Sequence, residues 1–213
     1  MDFVPDLSTI LAFSAASLVL ALTPGPDMTL FISRALSDGR AAAFACVLGA
    51  FTGITLHTLM VAIGLSALVV ASPTAFLVLK VAGAAYLMWL AIQAIRKGSS
   101  LTVGDRGPSG RSMVSNWAQG LSVNLLNPKI ILFFMTFLPQ FVAASDPHIT
   151  GKLIFLGLLF VVESIPIVIA IVLGAHGLAV WLKRQPKVMR VIDYVFAAVF
   201  SLFAVRILFT QAR

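Results

Sequence analysis

Apolar residues fall into six long runs along the chain, and short polar stretches separate the runs. Runs of about 20 apolar residues are long enough to cross the hydrocarbon core of a membrane as helices. The pattern therefore predicts an all-α membrane protein with six transmembrane helices. The predicted spans cover residues 7–36, 41–71, 75–95, 117–142, 153–178 and 191–209.

Proline interrupts the first and the fourth of these runs. A proline removes a backbone donor and clashes with the preceding turn, yet it is tolerated at the first position of a new helix. We therefore expect helices one and four to stop and restart mid-membrane. The residues at the two breaks are Pro24, Gly25, Pro26 and Asp27 in the first span, and Asn127, Pro128 and Lys129 in the fourth.

Composition supports a membrane protein, because 60% of the residues are hydrophobic and only 11% are charged. A soluble domain carries about 25% charged residues. The net charge of +7 does not indicate a nucleic-acid partner, since the basic residues gather in short loops between the runs. By the positive-inside rule, these loops are cytoplasmic and both termini lie outside. The loop residues are Arg34, Arg40, Arg96, Lys97, Arg106, Arg111, Lys183, Arg184, Lys187 and Arg190.

Each half of the chain holds three predicted spans, an odd number, so two related halves must have opposite orientations. We predict one membrane domain, 1–213, made of inverted repeats 1–97 and 116–213 around a cytoplasmic loop, 96–115.

The small-residue face Gly49–Gly53 is expected to pack within the chain, with a homodimer contact as the alternative. The single cysteine, Cys46, excludes an internal disulfide. The N-terminus lacks the basic region of a signal peptide, so the first span is expected to be retained.

Charged residues inside a membrane are costly and need a reason. Asp27 is either a helix N-cap or a group that binds an ammonium or a proton. Glu163 is either half of a structural ion pair with Lys129 or another cation, or a protonatable coupling group. Lys129 is either paired with Glu163 or Asp27, or favours an anionic ligand beside its half-helix.

Three further polar residues lie within the predicted spans. His57 is either a satisfied core residue or a proton relay. Lys80 either snorkels outward or contributes to the site. Asn124 either joins helices or binds ligand. Because half-helix N-termini attract anions and the carboxylates attract an ammonium, the two breaks together would suit a zwitterionic amino acid.

Several motifs resemble those of the LysE/RhtB-type amino-acid exporters. They are Thr23–Asp27, Leu79–Leu87, and Asn124–Lys129 with the following Phe137–Phe141. The resemblance implies an inner-membrane exporter of amino acids or their derivatives, driven by the proton gradient. The Pro-Gly-Pro-Asp form is similar to the homoserine/threonine branch. Residues 163–166 are not part of the resemblance.

Other function classes remain as alternatives. A cation or metal-ion efflux protein, or a passive channel, would have the same helical pattern. The three histidines, at 57, 148 and 176, have no metal-ligand spacing, so no metal site or cofactor is expected. An enzyme is not expected, because H-E-x-x-H and G-x-S-x-G do not occur in the sequence. The predicted partners are a small amino-acid substrate, protons and the lipid bilayer.

Overall fold

A computed structural model of the protein describes residues 3–72, 110–143 and 145–210, with single positions between 74 and 96. Within these residues the structure is helical and has no strand. The elements in chain order are α1 Leu7–Leu22, α2 Pro26–Ser37, α3 Arg40–Ala71, α4 Met113–Leu125, α5 Pro128–Leu132, a π-helix Phe133–Phe137, a 3₁₀-helix Leu138–Phe141, α6 Ile149–Leu173, α7 Ala175–Arg184 and α8 Pro186–Thr210.

In this part of the chain, two helices qualify as membrane spans by length and composition, or up to four spans if each of two bent helix pairs counts as one. Arg40–Gly64 of α3 and the whole of α6 are each long and apolar enough to cross a membrane. Two bent pairs also qualify: α1 with α2, which meet at 49°, and α4 with Pro128–Phe141, which meet at 53°. The all-helical, multi-pass prediction is confirmed to this extent. The arrangement of six helices as inverted repeats stays a prediction, because most of the third span lies outside the described residues.

Both predicted breaks occur at the expected residues. α1 ends at Leu22 and α2 begins at Pro26, whereas α4 ends at Leu125 and α5 begins at Pro128. Each new helix has proline at its first position, where a missing N–H costs no helical hydrogen bond. The interruptions are therefore local consequences of the sequence.

The predicted fifth span was wrong at its end. It was expected to run to residue 178, but α6 stops at Leu173, where the N–H of Gly174 donates to the Ala170 carbonyl at 2.9 Å. A separate helix, α7, follows and packs against α2. Pro166 lies inside α6, which continues through it.

Two predicted loops also need correction. Residues 183–190 were expected to form a basic loop, yet they belong to α7 and α8, which are separated by Gln185 alone. Pro186 begins α8, since proline fits the first helical position. The predicted loop 96–115 extends too far toward the C-terminus, because α4 already begins at Met113. There the Ser112 hydroxyl caps the helix by accepting the N–H of Ser115 at 3.2 Å.

Glycines allow α3 and α4 to pack with their backbones in contact. A Cβ atom placed on Gly49 would lie 1.9 Å from the carbonyl oxygen of Trp117, and one on Gly120 would lie 2.0 Å from that of Cys46. The small-residue face of the second span is therefore used within the chain, as predicted. Cys46 is buried at this contact and unbonded, as expected for a small packing residue.

We expect Gly120→Ala to destabilise the protein by about 1–3 kcal/mol, because the new methyl group must push α3 and α4 apart. Gly64→Ala in α3 is the matched control, since a Cβ there meets nothing within 4 Å. The control should be neutral or slightly stabilising. Thermal unfolding in detergent compares the two variants. Equal midpoints would contradict the close packing.

A cluster of phenylalanines holds the segment after the second break. Phe133 lies 4.9 Å from Phe137 and 5.9 Å from Phe13 of α1, measured between ring centroids. Pro139 has no N–H to continue an α-helix, and the segment ends as π- and 3₁₀-helix. The buried rings thereby fix α5, and with it Lys129, against α1.

Candidate functional site

The first break leaves backbone carbonyl groups without helical partners. Pro24 has no N–H, so the carbonyl oxygen of Leu20 cannot form the usual bond with residue i+4. From the backbone of the described residues it accepts one long bond instead, from the N–H of Thr23 at 3.3 Å. Acceptors at the end of α1 therefore need donors from elsewhere in the fold.

The second break is capped by its own side chain. Pro128 likewise removes the helical donor for the Asn124 carbonyl, which accepts the N–H of Asn127 at 3.0 Å instead. The Oδ1 atom of Asn127 accepts the backbone N–H of Lys129 at 3.1 Å. Asn127 is thus the N-cap of α5.

The two breaks face each other and exchange hydrogen bonds. The Nζ of Lys129 donates to the carbonyl oxygens of Leu20, at 3.0 Å, and Thr23, at 2.7 Å. In the opposite direction, Oδ2 of Asp27 accepts hydrogen bonds from the side-chain amides of Asn124 and Asn127, each at 3.0 Å. Each break therefore supplies the groups that the other break needs.

For two charged residues, one of the two predicted alternatives is not found. Pairing of Lys129 with Glu163 or Asp27 was the alternative to attraction of an anionic ligand, and in the described part of the chain its ammonium bonds only to backbone carbonyls. Asp27 was considered as the N-cap of α2, but Gly25 occupies that position. The Asp27 side chain reaches across to the second break because both asparagine amides there are free to donate.

One oxygen of Asp27 is unused. Its Oδ1 atom is enclosed and has no hydrogen-bond partner among the described residues, whereas Oδ2 holds two amides. Gly25 leaves room for the neighbouring cation, since a Cβ there would lie 3.3 Å from Lys129 Nζ. A carboxylate oxygen without a partner is a strong acceptor for a cationic group.

A cavity of about 60 Å³ lies beside the two breaks. That volume holds a few water molecules. Its polar lining consists of five residues, and most of the remaining wall is apolar. The polar residues are Thr23, Asp27, Asn124, Lys129 and Ser164. The cavity therefore has a charged end at the breaks and apolar walls elsewhere.

His57 and Glu163 do not line this cavity. His57 is buried and stacks on Phe134 with ring centroids 6.1 Å apart, and its Nε2 has no partner within the described ranges. Glu163 is half-buried, with Oε2 enclosed and unpaired among the same residues. Its neighbour Ser164 lines the cavity in its place. Lys80 lies outside the described residues.

Sequence reasoning missed Ser164 and a second polar cluster. Arg34, at the end of α2, is buried and donates to Oε1 of Gln119 at 2.8 and 3.1 Å, which joins α2 to α4. It also pairs with Asp38 at 2.7 Å. The spacing of four residues between Arg34 and Asp38 was a visible signal for this pair. Gln119 thereby helps to hold α2 and α4 together.

Comparison with known proteins identifies the family. The sequence model of the LysE type translocators matches residues 18–211. The chain belongs to this family. The resemblance inferred from the motifs at the two breaks is thereby confirmed.

Curated relatives of this LysE type translocator cover almost its whole length. It is 33% identical to the homoserine/homoserine lactone efflux protein of Salmonella typhimurium, over 90% of this chain and 91% of the relative. It is 23% identical to the leucine efflux protein of Klebsiella pneumoniae, over 95% of both chains. An uncharacterized membrane protein of Vibrio cholerae is 31% identical over 92% of this chain and 94% of its own. No solved structure matches the chain.

Proposed function

We propose that this protein is a secondary transporter that exports amino acids or close derivatives, of the homoserine or threonine type, from the cytoplasm in exchange for protons. The reciprocal contact between the two helix breaks is the observation that carries the proposal. Paired broken helices mark the binding sites of many secondary transporters. Efflux by the relatives supports the direction of transport.

The charged end of the cavity suits a zwitterion. The free Oδ1 of Asp27 would accept a substrate ammonium. Lys129 uses two N–H donors on the Leu20 and Thr23 carbonyls, and an ammonium group has three. The third donor would bind the substrate carboxylate. Both charged groups of an amino acid would thus find partners at the breaks.

Loading of substrate requires movement. The cavity of about 60 Å³ is far smaller than the roughly 300–1,000 Å³ of typical ligand sites. We propose that the broken helices and α6 move apart to admit substrate and close again during alternating access. The apolar contacts around the cavity would separate in this step.

Proton exchange follows from competition at one atom. Oδ1 of Asp27 would bind either the substrate ammonium or a proton, so a proton arriving from outside would release the substrate there. Deprotonation toward the cytoplasm would then restore the carboxylate. His57 and Glu163 are our further candidates for moving the proton, because each carries a buried polar atom without a partner among the described residues.

The proposed topology places this site within the bacterial inner membrane. Two inverted three-helix repeats would put both termini outside and the basic segments in the cytoplasm, by the positive-inside rule. Pro26 and Pro128 each begin a half-helix, and the next residue, Asp27 or Lys129, reaches across to the other break. This correspondence supports the repeat.

Uptake into inverted membrane vesicles tests the function. We expect labelled homoserine and threonine to accumulate when the lumen is acidic, and an uncoupler to abolish the accumulation. Vesicles without the protein are the control. Amino-acid flux that the uncoupler does not reduce would indicate a passive channel. Accumulation of a divalent metal ion without any amino acid would favour a cation exporter and refute the proposal.

A further inference from the structure

Helix α6 forms a largely apolar wall of the cavity, in contrast to the charged end at the two breaks. Four of its residues recur at helical spacing and line the cavity: Phe160, Ser164, Val168 and Ile171. Residues at this spacing share one face of a helix. Ser164 is the single polar member of this stripe. The walls from α2 and α3 are apolar as well, through Met28, Phe31, Ala50, Phe51 and Ile54.

The Ser164 hydroxyl has an unused hydrogen-bonding capacity. The residue is only 4% exposed, yet its hydroxyl bonds to no other group in the described ranges. Several other hydroxyls in the helices donate to the carbonyl four residues earlier, as Thr58 does to Ile54 and Ser122 to Ala118. The hydroxyl is also not fully enclosed, unlike that of Ser17. It is therefore open to the cavity that it lines.

We propose that Ser164 is a specificity-determining residue that hydrogen-bonds a hydroxyl on the substrate side chain. This inference rests on the proposed function. With the ammonium at Asp27 and the carboxylate at Lys129, the substrate side chain points away from the charged end, toward apolar walls. Ser164 is the polar group that the described part of these walls offers. The site would thus select short hydroxylated amino acids over apolar ones of equal size.

The physical reason is the cost of a buried polar group without a partner. An apolar side chain would displace water from Ser164 and leave its hydroxyl unsatisfied, whereas a hydroxylated side chain would satisfy it. One neutral hydrogen bond corresponds to a preference of about three- to tenfold. We expect this preference between two substrates that are identical except that one has a hydroxyl group where the other has a methyl group.

Transport of two such pairs, homoserine with norvaline and threonine with valine, tests the proposal in proteoliposomes. The readout is the ratio of kcat/KM values within each pair, which does not depend on protein abundance. We expect the wild type to favour the hydroxylated member by about three- to tenfold. Ser164→Ala should bring the ratio close to one, and Ser164→Thr should retain it. Ser164→Cys, with its weak donor, should give an intermediate ratio.

Ser17→Ala is the matched control, because Ser17 is a buried helical serine that does not line the cavity. Its ratio should equal that of the wild type. An unchanged ratio in Ser164→Ala, or a wild type without preference, would overturn the assignment while leaving export itself standing. A wild type that transports neither member of either pair would refute the proposed function, and the inference with it.

Discussion

Asp27→Asn is expected to reduce export by about two orders of magnitude while the protein remains folded. The asparagine Oδ1 can still accept the amides of Asn124 and Asn127, which now bond to Oδ2 of Asp27. The variant loses the negative charge that would bind the substrate ammonium and exchange it for a proton. A hydrogen bond to a charged group contributes about 1.5–3 kcal/mol, and coupling disappears with the titratable group. Uptake into inverted vesicles measures the loss.

Asp146→Asn is the control for this substitution. Asp146 lies in the loop before α6, where its hydrogen bond with Lys152 lowers the pKa of the carboxyl. A surface pair of this kind contributes little, about 0–1 kcal/mol, so export and stability should stay near the wild-type values. Export by Asp27→Asn at the rate of this control would remove Asp27 from the mechanism. Thermal unfolding shows whether both variants are folded.

Lys129→Met is expected to cause the largest loss of stability. The ammonium donates to the carbonyl oxygen of Leu20, whose usual helical donor is removed by Pro24, and to that of Thr23, which lies beyond the end of α1. A buried acceptor that loses its partner costs about 1–3 kcal/mol, which applies in full to the Thr23 carbonyl. The Leu20 carbonyl would keep the 3.3 Å bond from the Thr23 N–H, so the two together cost about 2–5 kcal/mol. For a chain of this size, that corresponds to a fall in Tm of roughly 5–20 °C. Unfolding in detergent measures it.

Lys152→Met provides the comparison, because Lys152 is a partly exposed lysine that pairs with Asp146 at the surface. Its effect on Tm should be small. Lys129→Arg keeps the charge and the donors, so it should recover part of the stability. The recovery should be incomplete, because Gly25 lies close to the Lys129 side chain and leaves little room for the larger guanidinium group. If Lys129→Met were as stable as Lys152→Met, the ammonium would not be what satisfies the first break.

Much of the fold could be predicted because its causes are local. Proline lacks an N–H at whatever depth it lies, so the ends of α1 and α4 could be located to within a residue. The N-cap role of Asn127 was equally local. The end of α6 was missed because residues 153–178 are apolar almost without interruption. Hydropathy alone does not separate one long helix from two that meet at Gly174.

The partner of Lys129 illustrates what the predictions left out. Its partner was predicted to be Glu163 or Asp27, or else an anionic ligand, and backbone carbonyls were not considered. The backbone offered better acceptors, and a signal for them existed, since Pro24 removes the helical donor of the Leu20 carbonyl. Residues 20 and 129 are far apart in the sequence, so no local pattern predicted their contact. Ser164 was overlooked for a related reason: a serine in an apolar helix normally bonds to its own backbone.

The sequence by itself determined that this chain is a helical membrane protein, where two of its helices break, and which charged residues stand at the breaks. These features depend on hydrophobicity and on the backbone chemistry of proline, which act over a few residues. Only the tertiary structure decided that the breaks satisfy each other and that Ser164 faces the same cavity. Such pairings depend on how helices far apart in sequence pack, here through the backbone contact that Gly49 and Gly120 permit. No local pattern specifies that geometry.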